Sequence, residues 1–381
     1  MKRKTPKRVL FANSWWHADI VNGTVKHAAE HGWHLDLQTC MSGILPKRWS
    51  GDGVITLLGG DLDELKRFLK QTRCPAVSLN ANYPEIKLPR VSQDDDLAGR
   101  MAAEHFLERG FSSFAFYSHG TSPQATQRRH TEFEKTLGKA GYSVHPLLWA
   151  REKGRQDHTW LERQRWLRRR LRKLAKPLAV FALNDEAAAE VIEASLSLSL
   201  SVPDEVAVLG MLDMAVFRHS TTVPLSSIAV DFDAITRTGC DLLARMMDGE
   251  DVPTEPIWFP PLGVITRKST DTIAARDPVV AKAIRFMRDQ HAEPIGIPEI
   301  SQAASVGKTS LYEHFDADIE ATPGSVLARI RLDRAKRMLR ETDDKIHVVA
   351  ESCGFVNRIN LHRQFKRHLS TSPAAYRRDQ S

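Results

Sequence analysis

The sequence predicts two joined folds: an α/β part made of two subdomains, followed by an all-α domain that carries a helix-turn-helix twice. Three observations point there. From Arg8 to about Arg267, short apolar runs alternate with longer amphipathic ones, the pattern of parallel sheets built from strand–helix–strand units. After Asp277-Pro278 the pattern is helical to the end. Within that helical part, apolar positions recur 50 residues apart, Leu311 with Leu361 and Phe315 with Phe365, so one unit is made twice.

In the first part the strand-like runs are 8–12, 53–58, 76–79, 114–117, 178–183 and 206–209. The helix-like stretches between them include 18–31, 62–71, 97–108, 127–139 and 186–196. Roughly 260 residues exceed one small sheet and suit two similar subdomains. Ligands in such folds bind at the carboxyl ends of the strands. That rule selects the loops 13–17, 92–96, 118–129, 184–186 and 210–214. Segment 151–176 holds 11 Lys/Arg and 3 Asp/Glu, with Trp160, Leu167, Leu171 and Leu174 at helical spacing; it reads as a helix with its apolar stripe in the core and its arginines in water.

The stretch 268–277 (KSTDTIAARD) is polar and aperiodic, so a linker is expected there, dividing a domain over 1–267 from one over 278–381. Asp277 followed by Pro278 makes a helix start, with a capping carboxylate and proline at the first turn. Ile297, Ile300 and Ala304 precede Leu311 and Phe315; Ile346, Val349 and Cys353 precede Leu361 and Phe365. Each set predicts a short helix, a turn and a second helix, with Gly354 in the later turn. A longer helix from Thr322-Pro323 should join them and bury Leu332, Ala335, Met338 and Leu339.

Charge adds a partner. The 381 residues carry a net +7, yet 329–381 alone sums to +7 and 1–8 to +5, leaving the body acidic. A basic tail on an acidic body fits a phosphate-bearing partner. No run approaches the ~18 apolar residues of a membrane span, and the basic start lacks a signal-peptide core, so a cytoplasmic protein without a membrane role is expected. Cys40, Cys74, Cys240 and Cys353 are too scattered for a thiolate metal site and imply reduced thiols. Gly307-Lys308-Thr309 imitates the end of a phosphate-binding loop, but the glycine the motif needs five positions earlier is Gln302. No histidine pair or nucleophile motif supports catalysis; no enzyme, metal or cofactor is expected.

In a helix-turn-helix the second helix enters the major groove and its non-core face reads base edges. In the later copy that face offers Arg358, Ile359, Asn360, His362, Arg363 and Lys366. In the earlier copy it offers Lys308, Thr309, Ser310, Tyr312, Glu313 and Asp316. Arginine grips guanine, asparagine pairs with adenine, isoleucine meets a thymine methyl and glutamate accepts from cytosine. Residues 297–328 hold one lysine against five acids, so the two readers should be unequal, the later one supplying most phosphate attraction.

Residues 331–339 (RLDRAKRML), Ile346, Val349-Ala350, Gly354-Phe355, Arg363-x-Phe365-Lys366 and Pro373-x-x-Tyr376-Arg377 make the last ~100 residues resemble the AraC-type DNA-binding domain. Gly307 stands where that pattern has a capping serine, and Asp316 where it has lysine. Asn184-Asp185-x-Ala187, 202–210 (VPDEVAVLG), 224–228 (PLSSI) and 267–270 (RKST) make residues 8–270 resemble the LacI-type sugar-sensing core, which is similar to periplasmic sugar-binding proteins. The resemblance implies a regulator of transcription, activating rather than repressing. Its expected partners are double-stranded DNA, a small sugar such as xylose, a second copy of the chain as a homodimer, and RNA polymerase. It also implies that Asp94, Arg129, Asn184 and Asp213 touch the sugar. Leu212 departs from the pattern, since a polar residue usually precedes that aspartate, and this points to a less polar sugar or one other than xylose. Independently of family, sugars bind through carboxylates, amides and arginine with an aromatic wall. Trp15 and Trp16, beside Asn13 in the first loop, are candidates for that wall. The rival readings are a solute receptor without a DNA role and a sugar-modifying enzyme on an α/β scaffold.

Overall fold

The computed structural model describes residues 6–12, 17–59, 62–120, 123–150 and 159–380. The first half of the α/β part is a parallel sheet in the order β2-β1-β3-β4, with β1 Arg8–Ala12, β2 His34–Asp36, β3 Gly53–Thr56 and β4 Ala76–Ser78. A bridge from Ser78 to Arg90 carries it on to β5 (Val91–Gln93), which pairs with β11 (Ile257–Phe259). The second half is a sheet in the order β12-β10-β9-β8-β6-β7. Its strands are β6 Ser113–Ser118, β7 Val144–Leu148, β8 Leu178–Ala182, β9 Val206–Leu212, β10 Ser226–Ala229 and the antiparallel β12 Gly263–Ile265.

The central strands are buried on both faces, as covered parallel sheets require. In β6, Phe114 and Phe116 enter one core while Ala115 and Tyr117 enter another; in β8, Ala179 and Phe181 alternate in the same way with Leu178, Val180 and Ala182. The chain crosses between the halves three times: from β5 into helix Asp95–Leu107, from β10 into helix Phe232–Met247, and from β11 into β12. Helix Asp95–Leu107 packs on helix Pro123–Lys139 of the second half, and Phe232–Met247 packs on Ala18–Glu30 of the first.

Two expectations need correction. The helix expected from 127 begins at Pro123, so the loop expected over 118–129 ends earlier and Arg129 lies well inside helix Pro123–Lys139. In helix Trp160–Lys173, Trp160 is exposed and Trp166 is buried instead, beside Leu167 and Leu171. The basic helix thus keeps Leu167 and Leu171 in its apolar stripe, with Trp166 in place of Trp160.

The segment between the two folds is packed rather than loose. Ser269 and Thr270 are buried; Ser269 donates to the Val208 carbonyl at 2.6 Å, and Thr270 bonds His105 at 2.9 Å. Among its described residues the helical domain has seven helices: Pro278–Asp289, Ile297–Ala304, Lys308–Ile319, Pro323–Glu341, Ile346–Ser352, Arg358–Leu369 and Pro373–Gln380. Asp277 caps the first, accepting from the Val279 N–H at 2.7 Å. Helix Pro323–Glu341 gives Val326 and Leu327 to a core with Leu311 and Phe315, then Leu332, Ala335 and Leu339 to a second core with Leu361 and Phe365. The repeat seen in the sequence is therefore two small cores strung on one helix. Gly354, at φ 74°, closes the second turn.

Candidate functional site

Three consecutive aspartates follow β5 and take three different roles. Asp94 is the N-cap of helix Asp95–Leu107, accepting from the Asp96 and Leu97 N–H groups at 3.0 and 3.1 Å. Asp95 turns inward to Arg129, with Nε and Nη2 both 2.8 Å from its Oδ1. Asp96 takes a two-pronged bond from Arg128 at 3.0 and 2.6 Å, and that guanidinium lies 4.0 Å over the Trp258 ring from the first half. The crossing from β5 into helix Asp95–Leu107 is therefore fastened by charge and by one cation–π contact. Gly99 lets the two helices meet this closely: a Cβ there would stand 2.5 Å from the Arg129 carbonyl oxygen.

Arg129 also donates to the Leu183 carbonyl, which brings it beside Asn184. Asn184 caps helix Asp185–Leu196 through a 2.9 Å bond from the Ala187 N–H. Asp185 is buried and accepts from the Ser227 hydroxyl at 2.6 Å and the Met214 N–H at 2.7 Å. Burial pushes its carboxyl up to about 7, since a charge without water is costly. Asp213 holds a left-handed backbone at φ 50°, pairs with Arg267 at 2.6 Å and Arg218 at 3.1 Å, and donates its N–H to Ser227 at 3.0 Å.

The structure thus forms two polar groups, Arg129 with Asp95 and the Leu183 carbonyl, and Asp213 with Ser227 and Asp185, with the helix cap Asn184 between Leu183 and Asp185 in the chain. Asp94 precedes Asp95 and serves the helix. Sequence reasoning missed Asp95, Asp185, Arg128 and Arg267. Only Asp185, in the Asn184-Asp185 pair, and Arg267, in 267–270, fell in the motifs that carried the resemblance, and spacing cannot say which of three adjacent carboxylates turns inward. Asn13, Trp15 and Trp16 lie outside the described residues. A groove of about 550 Å³ crosses from helix Ala18–Glu30 to Asp213 and Arg218, with Asp19, Lys26 and Phe232 in its walls. Of the four expected sugar contacts, only Asp213 lines it.

On the helical domain most of the residues expected to read DNA are exposed. Lys308, Thr309, Tyr312 and Glu313 are exposed on one helix; Arg358, Ile359, His362, Arg363 and Lys366 are exposed on the other, with Asn360 half-buried. The start of each helix separates them. Asn357 caps the later one through a 2.9 Å bond from the Asn360 N–H, whereas Gly307 offers the earlier one no side-chain cap.

The two folds meet through charge. Arg109, just beyond helix Asp95–Leu107, donates to the Thr270 and His105 carbonyls at 3.0 Å. Arg329 of helix Pro323–Glu341 reaches the Glu108 carbonyl. Asp204 receives Arg285 at 3.0 Å and Arg288 at 2.7 Å.

Comparison with known proteins agrees with this division. Residues 103–270 match the periplasmic binding protein-like domain family, and residues 300–379 match a helix-turn-helix domain family. The xylose operon regulatory protein of Escherichia coli K12 is 25% identical over 397 aligned residues, covering 99% of this chain and 97% of that protein. The xylose operon regulatory protein of Haemophilus influenzae is 26% identical over 336, covering 86% and 84%. Among solved structures, that of a xylose-binding transcription activator superposes over 100% of both chains, with TM-score 0.67 and 24% identity, a likeness of fold.

Proposed function

We infer that this chain, a periplasmic binding protein-like domain joined to a helix-turn-helix domain, is a sugar-sensing, DNA-binding regulator of transcription. It reads double-stranded DNA with its two exposed helices and holds a small sugar, xylose or a relative, between the α/β halves. Arg129, Asn184 and Asp213 bind from the second half, Asp94 from the crossing after β5, and Asn13, Trp15 and Trp16 from the first. It works in the cytoplasm as a homodimer, activates a sugar-utilisation operon through RNA polymerase, and performs no catalysis.

One observation carries the coupling. Helix Asp95–Leu107 begins at the Asp95–Arg129 pair and ends at Glu108 and Arg109, which hold Arg329 of helix Pro323–Glu341 and the Thr270 carbonyl of the segment between the two folds. Closure of the halves on a sugar displaces Asp95 and Arg129 at one end of this rod. The other end carries that displacement ~20 Å to the readers. A ligand shifts such an equilibrium only through different affinity for the two states, so the sugar must bind the closed form more tightly.

A thermal-shift panel of pentoses and hexoses, paired with binding to duplex fragments, tests this reading. The effector at 100 times its Kd stabilises the protein by ~2.7 kcal/mol and changes the affinity for DNA. Failure of every sugar to raise the melting temperature, or loss of duplex retention in dilute salt, would sink it.

A further inference from the structure

We propose that the sensor domain carries a second DNA contact of its own: an arginine-lined groove that grips the phosphate backbone of duplex flanking the sequence read by the helix-turn-helix domain. The proposal rests on the regulator reading above.

Helix Trp160–Lys173 holds seven Lys/Arg and one acid. Arg163 is spent on Glu190 in a buried pairing. Arg165, Arg169 and Arg172 are exposed and make no ion pair or hydrogen bond among the described residues. With Arg168 they stand at i, i+3, i+4 and i+7, so like charges stack along one face, an arrangement that destabilises a helix in isolation. The stripe borders a groove of about 610 Å³ whose far lip is Ser197 and Leu198. Its floor is firm: Trp149 and Trp166 are buried and meet edge to face at 5.4 Å. A chain whose remaining body is acidic thus concentrates unneutralised guanidinium groups on one rigid surface.

The groove also lies at the proper end of the molecule. Helix Asp185–Leu196 runs down into Ser197 and Leu198, and the chain reaches Asp204 six residues later. Asp204 is the residue clamped by Arg285 and Arg288 of the first helix of the DNA-binding domain. The lip of the groove and the foot of the reader domain are neighbours along one short loop. From Arg165 to Arg172 the stripe covers ~10 Å, over which one strand of B-DNA advances by about three phosphates. Planar guanidinium groups suit phosphate by geometry as well as charge.

The test uses the full-length chain. A short duplex that the protein selects from a random pool is compared with the same duplex lengthened by unrelated flanks. Wild type binds the lengthened duplex at least tenfold more tightly, and its salt slope steepens by about 2–3, near 0.9 for each added phosphate contact. The triple variant Arg165→Ala, Arg169→Ala, Arg172→Ala binds the short duplex as wild type does but gains nothing from flanks, while the Arg→Lys triple keeps most of the gain. Unchanged circular dichroism and melting temperature in both triples exclude misfolding as the cause. An alanine triple that gains as much from flanks as wild type overturns the proposal. So does a groove that is protected by RNA polymerase but not by DNA. Wild type failing on the short duplex overturns the regulator reading itself, a separable outcome.

Discussion

Arg129 and Asp95 form an ion pair shut away from solvent, with two nitrogens 2.8 Å from one carboxylate oxygen and side chains only 3% and 6% exposed. The neighbouring Asp94 makes a different contribution, the hydrogen bonds of a helix cap. The two substitutions should therefore differ in size. Asp94→Ala removes a cap and costs ~1 kcal/mol. Asp95→Ala strands a buried guanidinium and costs ~3–5 kcal/mol. Urea unfolding of both variants checks this, and equal losses would show that the pair is not buried as described.

That contrast marks how far the sequence could be read. The long buried strands Leu178–Ala182 and Val206–Leu212 announced themselves as apolar runs bounded by turn residues, and the repeat of Leu311/Phe315 with Leu361/Phe365 gave the helical domain directly. Strand β11 stayed hidden, and β5 showed only through the loop expected after it, because these three-residue strands pair with each other across more than 160 residues of chain. Propensity has no hold on so short and non-local a pairing. The crossing after β5 followed them into obscurity. Arg128 meets Asp96 and Trp258 only because β5 and β11 lie side by side. Trp160 misled because helical spacing fits several registers, and the choice between Trp160 and Trp166 belongs to tertiary packing.

Asp185 makes stability depend on pH. Its carboxyl titrates at about 7 in the folded chain against 3.8 in the reference. Between those values the unfolded chain releases the proton while the folded chain keeps it. Folding is therefore favoured at low pH, loses ground as pH rises towards 7, and levels off above it. The whole span is worth ~4 kcal/mol, of which about 2 kcal/mol falls between pH 5.5 and 7.5. Asp185→Asn keeps an acceptor for the Met214 N–H, and its amide can donate to the Ser227 oxygen in place of the bond Asp185 accepts from that hydroxyl, so it should flatten this slope by about 2 kcal/mol in urea midpoints taken across that range. A variant with the wild-type slope would assign the titration elsewhere.

Gly354 is fixed by space and by backbone angle together. At φ 74°, a Cβ would stand 2.0 Å from the His291 carbonyl oxygen. The same oxygen accepts from Arg331 at 2.9 Å, so this turn fastens the later reader to the loop after helix Pro278–Asp289. Gly354→Ala must bear backbone strain and an overpacked contact, together ~3 kcal/mol. Thermal unfolding should register that loss, and DNA binding should fall with it. A melting temperature within a degree of wild type would refute the crowding.

The two readers should differ in what they contribute to DNA binding. Arg363 and Lys366 occupy the positions that Glu313 and Asp316 hold in the earlier copy, and only the later helix has a side-chain cap, from Asn357. Carboxylates facing a duplex add selectivity through cytosine amino groups while repelling phosphate. Arg363→Ala should weaken binding to a selected site by ~1–3 kcal/mol and relax preference at one base pair, if that arginine grips guanine in both directions of its fork. Lys366→Ala should weaken binding to all sequences alike and lower the salt slope by about 1. Glu313→Ala should leave affinity for unrelated duplex equal or stronger and blur selectivity at a cytosine. Fluorescence anisotropy over a salt series, on matched and single-substituted sites, separates these effects. If Glu313→Ala weakens binding as much as Arg363→Ala, and the salt slope ignores Lys366, the readers are equivalent and the charge difference between them has another origin.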